Sequence, residues 1–322
     1  MNLYYFTAVC RDHKGQFYYD TEDKKVHIAV HEDVKPLVEK EMEEWKRKTT
    51  FEYQMEELVE SQCSMSFGPG SQIFTPTCFM FSGTVIDKST GITVGHAAST
   101  GSDVMIMTPG NVPQIIGRCL AAFRDVEVTT DCRKYTLTAD MAVLDLRPQF
   151  HVQRNSVQWA NREFRVRIFR GGRVPENTEV MILDRYGTFQ HGTIRRQSFV
   201  DTELERRRIY GVLGIGTEVR SEAGMRQSAI TELGDSGALV LSVPSERGND
   251  TEDGVLHVYG IVIGLWSGKQ SGLEYSLTVA NSLGRVIPEV FSNQAVVHRV
   301  RNIPVDDIDF TEVADPPRPP VL

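Results

Sequence analysis

Ser236 stands in the stretch Thr231-Glu232-Leu233-Gly234-Asp235-Ser236-Gly237-Ala238-Leu239-Val240-Leu241, a short polar turn between apolar runs. Gly234 and Gly237 bracket it, and glycine takes backbone conformations closed to other residues, so the turn can bend sharply and leave the hydroxyl standing clear. A serine alone is a weak nucleophile. To attack a carbonyl it needs a base for its proton, a group to orient that base, and backbone N–H donors for the oxyanion that forms. His96 closes the apolar segment Ile92-Thr93-Val94-Gly95-His96, and Asp140 leads into Met141-Ala142-Val143-Leu144-Asp145-Leu146. The acid follows the histidine by 44 residues and precedes the serine by 96. Each residue alone has a plainer reading: Gly-Asp-Ser-Gly is more often a β-turn before a buried strand, a strand-end histidine is more often a core residue, and Asp140 a turn acid.

The segments that must position these groups read as strands. Residues 77–81, 81–86, 92–98, 104–107 and 115–120 are short and apolar, and Gly, Pro and Asn turns such as Asp87-Lys88-Ser89-Thr90-Gly91 separate them. Strands this frequent predict an all-β sandwich or barrel.

In chain order, the three segments resemble the His, Asp and Ser motifs of the chymotrypsin-like (trypsin-like) serine proteases, in a disulfide-poor form. The likeness extends to Val258-Tyr259-Gly260-Ile261-Val262-Ile263-Gly264-Leu265, which resembles the strand walling the substrate cleft. Leu273-Glu274-Tyr275-Ser276-Leu277-Thr278-Val279 looks like the next strand, which closes the specificity pocket, and the segment 186–194 like a glycine-punctuated hairpin of the second barrel. About residues 63–300 are covered. The resemblance implies an all-β fold of two six-stranded antiparallel β-barrels with an α+β N-terminal extension. The divisions are an extension over 1–62 (hairpin plus helix), a first barrel over 63–163, a second over 164–300 and a flexible tail over 301–322.

It also implies roles. Ser236 would be the nucleophile, His96 the general base, and Asp140 the group holding the imidazole in its working tautomer. Asp145 is the rival carboxylate; Asp140 is preferred because it precedes the apolar run, as the family's acid does. The N–H groups of Gly234 and Ser236 would form the oxyanion hole. Ile230, six before the serine, would lie at the pocket floor, and since it is not an acid, cleavage after Lys or Arg is not expected. Thr231, Ile263, Gly264 and Leu265 would complete the substrate-binding wall, with Leu265 and Leu273 narrowing it toward small or apolar side chains. One departure matters: no Arg-Ile-Val-Gly-Gly-like start precedes the barrel, so Asp235 needs a partner other than a new N-terminal amine, or packing alone holds the oxyanion loop. Two function classes follow. The first is a serine endopeptidase acting on protein or peptide; the alternative is a protease-fold interaction module without turnover. Retention of all three side chains favours the first.

Composition sets the remaining bounds. The chain has 322 residues, 40% of them hydrophobic, enough for a substantial core. A formal net charge of −8 and a pI near 5.6 argue against a nucleic-acid partner. No apolar run is long enough to cross a bilayer, and the start of the sequence lacks a convincing secretory signal. Five cysteines (Cys10, Cys63, Cys78, Cys119, Cys132) make an odd count. Ala97, Thr231 and Glu232 stand where secreted members resembling this chain carry bridged cysteines. A reduced, cytoplasmic protein is expected, with one bridge among the last four cysteines left open.

Before the barrels, residues 3–20 alternate around Lys14-Gly15 and predict a hairpin, and 25–31 a third strand. From 32 to 60, Val34, Leu37, Val38, Met42, Trp45, Met55, Leu58 and Val59 recur at helical spacing, with Pro36 in the first turn. This extension is either a packed layer or a partner-binding or inhibitory segment leaning over the cleft. Cys10, His13, His27 and His31 have zinc-like spacing, but two of them fall in a strand, and satisfied or exposed histidines are the better reading. No metal and no cofactor are expected. Residues 203–208 read as a solvated loop, with a processing or docking site as the alternative, and 242–254 as a long exposed loop. The tail ends in Pro316-Pro317-Arg318-Pro319-Pro320, a weak proline-rich signal for a partner domain.

Overall fold

The computed structural model describes residues 9, 13, 15–20, 25–46, 52–57, 71–76, 78–85, 89–108, 112–129, 134–150, 155–169, 174–196, 199–201, 207–209, 211–221, 224–244, 254–270, 273–292 and 310–311. Ahead of the barrels come β1 (Gln16–Asp20), β2 (Lys25–Val30), helix α1 (Lys35–Lys46) and β3 (Glu52–Glu57). Six strands follow: β4 (Ser71–Thr75), β5 (Cys78–Val85), β6 (Thr90–Thr93), β7 (Asp103–Thr108), β8 (Val112–Thr129) and β9 (Lys134–Leu146). They close as a barrel in the order β4-β5-β6-β9-β8-β7, every neighbouring pair antiparallel. In β9 the run Met141-Ala142-Val143-Leu144 is buried on both faces, so it cannot alternate as a half-exposed strand would.

A hairpin of β10 (Ser156–Trp159) and β11 (Arg162–Phe169) links this barrel to the next. Ala160 and Asn161 both have positive φ, 45° and 62°, as the two-residue turn that matches strand twist requires. Then come β12 (Glu179–Leu183), β13 (Phe189–Arg196), β14 (Phe199–Asp201), β15 (Arg207–Ile209), β16 (Val212–Ser221), β17 (Gly224–Ser228), β18 (Leu239–Ser242), β19 (Val255–Gln270) and β20 (Leu273–Ser282). The pairings β12–β13, β13–β16, β16–β20, β20–β19, β19–β18 and β18–β12 run full circle, all antiparallel. A second six-stranded barrel is thereby closed, as the resemblance implies. Val180, Ile182, Ile194, Leu213, Ile215, Val240, Val262 and Ala280 fill it. The alternate residues Met181, Leu239 and Leu241 turn outward into a cluster shared with the first barrel and with Leu283, Val286 and Ile287 of α2 (Leu283–Ser292). Each such buried aliphatic side chain contributes roughly 1.5–3 kcal/mol, so period-two patterning is what cements barrel to barrel.

The extension departs from its expected helix. Residues 52–57 are a strand, paired in parallel with β2 from Lys25↔Glu52 to Val30↔Glu57. Val38, Met42 and Trp45 lie on the packed face of α1, joined by Val34 from the turn before it, while Leu37 is 56% exposed. Tyr53 and Met55 then join the same cluster at spacing two, not three or four. Two parallel strands need a crossover, and α1 is that crossover. Of the expected hairpin over 3–20, β1 pairs antiparallel with β2 from Gln16↔Ala29 to Asp20↔Lys25, and residues 3–8, 10–12, 14 and 21–24 lie outside the described residues. This layer is pinned to the β10–β11 turn. The Trp159 indole N–H donates to the Phe17 carbonyl at 2.5 Å, the Asn161 amide to that of Glu57 at 2.8 Å, and Val243 packs into the layer's core.

Two further expectations change. Arg207 and Arg208, expected in a solvated loop, belong to β15, which pairs with β14. In the tail, β21 (Phe310–Thr311) pairs in parallel with Ile168 and Phe169. β10 pairs with β11 only as far as Arg165 and leaves that edge open beyond, where two tail residues cover it. Residues 203–206, 245–253 and 316–320 lie outside the described residues.

Candidate active site

His96 sits in the turn that follows β6, where the Ala97 N–H reaches the Val94 carbonyl at 3.4 Å. Gly95 makes this turn possible: a Cβ there would stand 2.1 Å from the Phe123 carbonyl oxygen. Asp140 projects from a bulge. Phe123 pairs with Met141 and Asp125 with Thr138, so Ala139 and Asp140 together oppose Arg124 alone, and a bulge re-aims the side chain it carries. The carboxylate takes two bonds from His96, the backbone N–H on Oδ1 and the ring Nδ1 on Oδ2, each at 2.7 Å. A carboxylate only accepts, so Nδ1 carries the proton and the lone pair falls on Nε2. Nε2 faces Ser236 Oγ at 3.1 Å, within reach for proton transfer. The His96 side chain is 29% exposed and that of Asp140 14%, which leaves the base open to a substrate and the acid largely shielded.

Ser236 belongs to no ladder. Its turn relies on Gly234 (φ 101°) and Gly237 (φ 84°), and is sewn at both ends. On one side the Ser82 N–H of β5 donates to the Ser236 carbonyl at 2.7 Å; on the other the Gly237 N–H donates to Val262 of β19 at 2.7 Å. A Cβ on Gly237 would lie 1.9 Å from the Ser82 oxygen, so the barrels touch through this glycine. Asp235 is buried; Oδ2 accepts the Glu232 N–H at 2.7 Å and Oδ1 that of Arg185 at 3.3 Å. Two backbone amides thus hold the carboxylate that lacked a partner in the sequence. Within the turn, Asp235 N–H bonds Glu232 O and Ala238 N–H bonds Asp235 O. Among the described residues, the N–H groups of Gly234 and Ser236 have no acceptor and stay available to a ligand.

The residues expected to bind substrate stand between β17 and β18 (Ile230, Thr231) and on β19 (Ile263, Gly264, Leu265). Ile230 is half-buried, its N–H bonded to Thr278 Oγ1 at 3.1 Å. Thr231 turns inward, its hydroxyl 2.8 Å from that of Thr278. Ile263 is half-buried against the shared core, Gly264 has open space where a Cβ would stand, and Leu265 is 47% exposed. The side chain of Leu273 lies outside the described residues, and Asp145 is exposed. Ser276 Oγ accepts the Ala229 N–H at 3.0 Å and lines, with Arg226, Ser228, Ser267 and Tyr275, a cleft of about 400 Å³.

Four contributors went unnoticed in the sequence. Gly95 and Ser82 act through backbone. Asn281 donates from β20 to the Asp140 carbonyl at 2.9 Å; its one signal in the sequence is an amide ending the run Leu277-Thr278-Val279-Ala280, and the structure buries it. Arg185, one residue before the segment 186–194, carries no signal of its own in the sequence. Of the zinc-like set, His13 bonds Glu41 at 3.0 Å and His27 bonds Glu56 at 2.7 Å; Cys10 lies outside the described residues. Among the described residues no group of three or more His, Cys, Asp or Glu is placed to hold a metal ion. Cys119 is a free thiol, pushed up to about 11 by burial. No helix among the described residues is long and apolar enough to cross a membrane.

No protein-family model and no curated sequence matches the chain. Among solved structures it is similar to a chymotrypsin of Cellulomonas bogoriensis, with 13% identity, 70% of this chain and 95% of that one covered, and a TM-score of 0.42. Protease A of Thermobifida fusca gives 16% identity, 69% and 95% coverage and a TM-score of 0.40. A Nocardiopsis protease gives 15%, 69% and 95%, with a TM-score of 0.39. The fold assignment stands on strand pairing and not on these likenesses: two six-stranded antiparallel barrels, closed one after the other along a single chain, give this protein the chymotrypsin-like fold.

Proposed function

We propose that this chain is a serine endopeptidase that cleaves peptide bonds through an acyl-enzyme on Ser236. Ser236 Oγ attacks the carbonyl carbon while His96 Nε2 takes its proton, and Asp140 stabilises the imidazolium. The N–H groups of Gly234 and Ser236 receive the oxyanion, a contribution typically worth about 100- to 1000-fold per donor. Collapse breaks the C–N bond, and His96 returns the proton to the leaving amine. Water then repeats the sequence on the ester, restoring Ser236 and releasing the acid. The supporting observation is the bonded line Ser236 Oγ–His96 Nε2–Asp140 at 3.1 and 2.7 Å, beside two uncommitted N–H groups. Leu233 is 86% exposed within the turn and Leu265 47% exposed on β19, and the open space at Gly264 suits a small or apolar substrate side chain. The free Cys119 thiol accords with the reducing, cytoplasmic setting read from the cysteine count.

The test is a fluorophosphonate probe on the purified chain. Labelling lost in both Ser236→Ala and His96→Ala is the expected result. A wild-type chain that does not label, although folded, overturns the reading in favour of a module without turnover.

A further inference from the structure

We propose that Arg185 is a positioning residue for the oxyanion hole, fixing the Leu233–Gly234 peptide so that its N–H faces the substrate. The inference rests on the reading above and concerns what holds the hole open.

Gly234 has a φ of 101°, a region that glycine enters as readily as its mirror image, so the residue itself does little to hold the peptide plane one way up. The tie comes from Arg185. Its Nη1 donates to the Leu233 carbonyl oxygen. The peptide is trans and planar, so a carbonyl directed at the guanidinium turns the Gly234 N–H the opposite way. Were the plane to flip, a carbonyl oxygen would replace the donor and repel the developing anion. The guanidinium also fills the face of Gly234: a Cβ there would lie 2.3 Å from Nη1.

Arg185 is well placed for this. Nη2 donates to the Tyr186 hydroxyl at 2.7 Å and reaches Glu232 Oε2 at 3.4 Å, and the guanidinium carbon stands 4.7 Å from the Tyr186 ring centroid. Its backbone N–H binds the buried Asp235 carboxylate, so main chain and side chain grip the same turn from opposite ends. The β12–β13 turn is itself braced by buried Asp184, whose Oδ1 accepts the Tyr186 and Thr188 N–H groups at 2.9 and 2.8 Å and whose Oδ2 accepts Gln190 at 3.2 Å. The arginine therefore extends from a fixed base. A planar fork of donors spanning a carbonyl, a hydroxyl and a carboxylate is something a lysine ammonium reproduces only in part.

The experiment compares labelling rates by a fluorophosphonate probe in wild type, Arg185→Met and Arg185→Lys, with thermal unfolding of each. Methionine keeps the stem and removes every donor; it should slow labelling about 100-fold, the order of one lost oxyanion donor, with melting within a few degrees of wild type. Lysine should recover at least tenfold of that loss. In turnover of a peptide ester, the deficit should fall on kcat with KM nearly unchanged. Arg185→Met labelling at the wild-type rate overturns this inference alone and leaves the proposed function standing. So does an equal slowing in both variants accompanied by equal loss of stability, which marks a merely structural residue. A wild-type chain that fails to label overturns both.

Discussion

The two barrels supply the site in different ways. The first contributes His96 and Asp140 from, or directly beside, paired strands, with a ladder bulge aiming the acid and two bonds at 2.7 Å closing the pair. The second contributes Ser236 from a turn with no ladder of its own, held by two positive-φ glycines, by amides on Asp235 and by bonds to β5 and β19. A strand-borne group is placed by the sheet whatever its neighbours' side chains, whereas a turn-borne one depends on individual ties. Substitutions in the first half should therefore remove chemistry and spare the fold. In the second half they should disturb geometry, and the fold with it.

The largest expected effect tests the first clause. Asp140→Asn keeps size and shape but replaces an acceptor-only carboxylate by an amide that can donate to Nδ1, which favours the wrong imidazole tautomer. Turnover should fall by about 10⁴-fold, while the urea midpoint stays near that of wild type. A loss of stability matching the loss of rate would erase the contrast between the halves. The second clause is tested by Gly237→Ala. Its Cβ would sit 1.9 Å from the Ser82 oxygen at a φ of 84°, and such overpacking costs about 1–3 kcal/mol. Urea denaturation should report that loss together with slowed labelling. Gly264→Ala is the counterpart in the same barrel: with open space at its Cβ position, stability should be unchanged.

The same division governs how much was legible in the sequence. Gly234-Asp235-Ser236-Gly237, His96 and Asp140 carry their chemistry in their residue types, and the structure brings their side chains to within 3.1 Å of one another in series. The alternating apolar residues of β18, Leu239 and Leu241 against Val240, likewise spell out a strand with two buried faces. What stayed hidden acts through geometry that no spacing encodes. Ser82 and Gly95 contribute a backbone N–H and a missing Cβ, and Asn281 reaches Asp140 across a separation of 141 residues. The extension misled for a different reason: Met55, Leu58 and Val59 continue the helical spacing of α1 while Tyr53 and Met55 fit alternation, and only parallel pairing with β2 decides between the two.

A smaller effect concerns the seam between the barrels and the N-terminal layer. Trp159 lies fully buried, edge-on to Phe189 at 4.6 Å, with its N–H on the Phe17 carbonyl. Trp159→Phe retains most of the packing and removes the indole N–H bond to that carbonyl, a loss of about 0.5–1.5 kcal/mol. Hydrogen exchange should quicken in β1 and β2, which lie beyond the seam, while the labelling rate of Ser236 holds. A fall in that rate would mean that the layer supports the site and that the division into two halves is incomplete.

The smallest expected effect is a pH dependence confined to the second barrel. His257, on β19, is buried; its N–H bonds Ser242 Oγ at 2.9 Å, and its ring meets Phe169 edge-on at 6.2 Å. Burial, and then the nearby Arg167 charge, hold its pKa below the ordinary histidine value of 6.5. The unfolded chain accordingly takes up this proton at a higher pH than the folded one. Well above pH 6.5 both states are neutral at this position and it contributes nothing to the pH dependence. As pH falls through 6.5, proton uptake by the unfolded chain draws the equilibrium toward unfolding, and the loss grows until the folded-state pKa is passed. His257→Gln removes that term, so its urea midpoint should decline less steeply than that of wild type below pH 6.5. Parallel declines in the two proteins would place the acid sensitivity elsewhere, and hydrogen exchange resolved by strand would then show whether the ladder of the first barrel or the turn-dependent second barrel opens first.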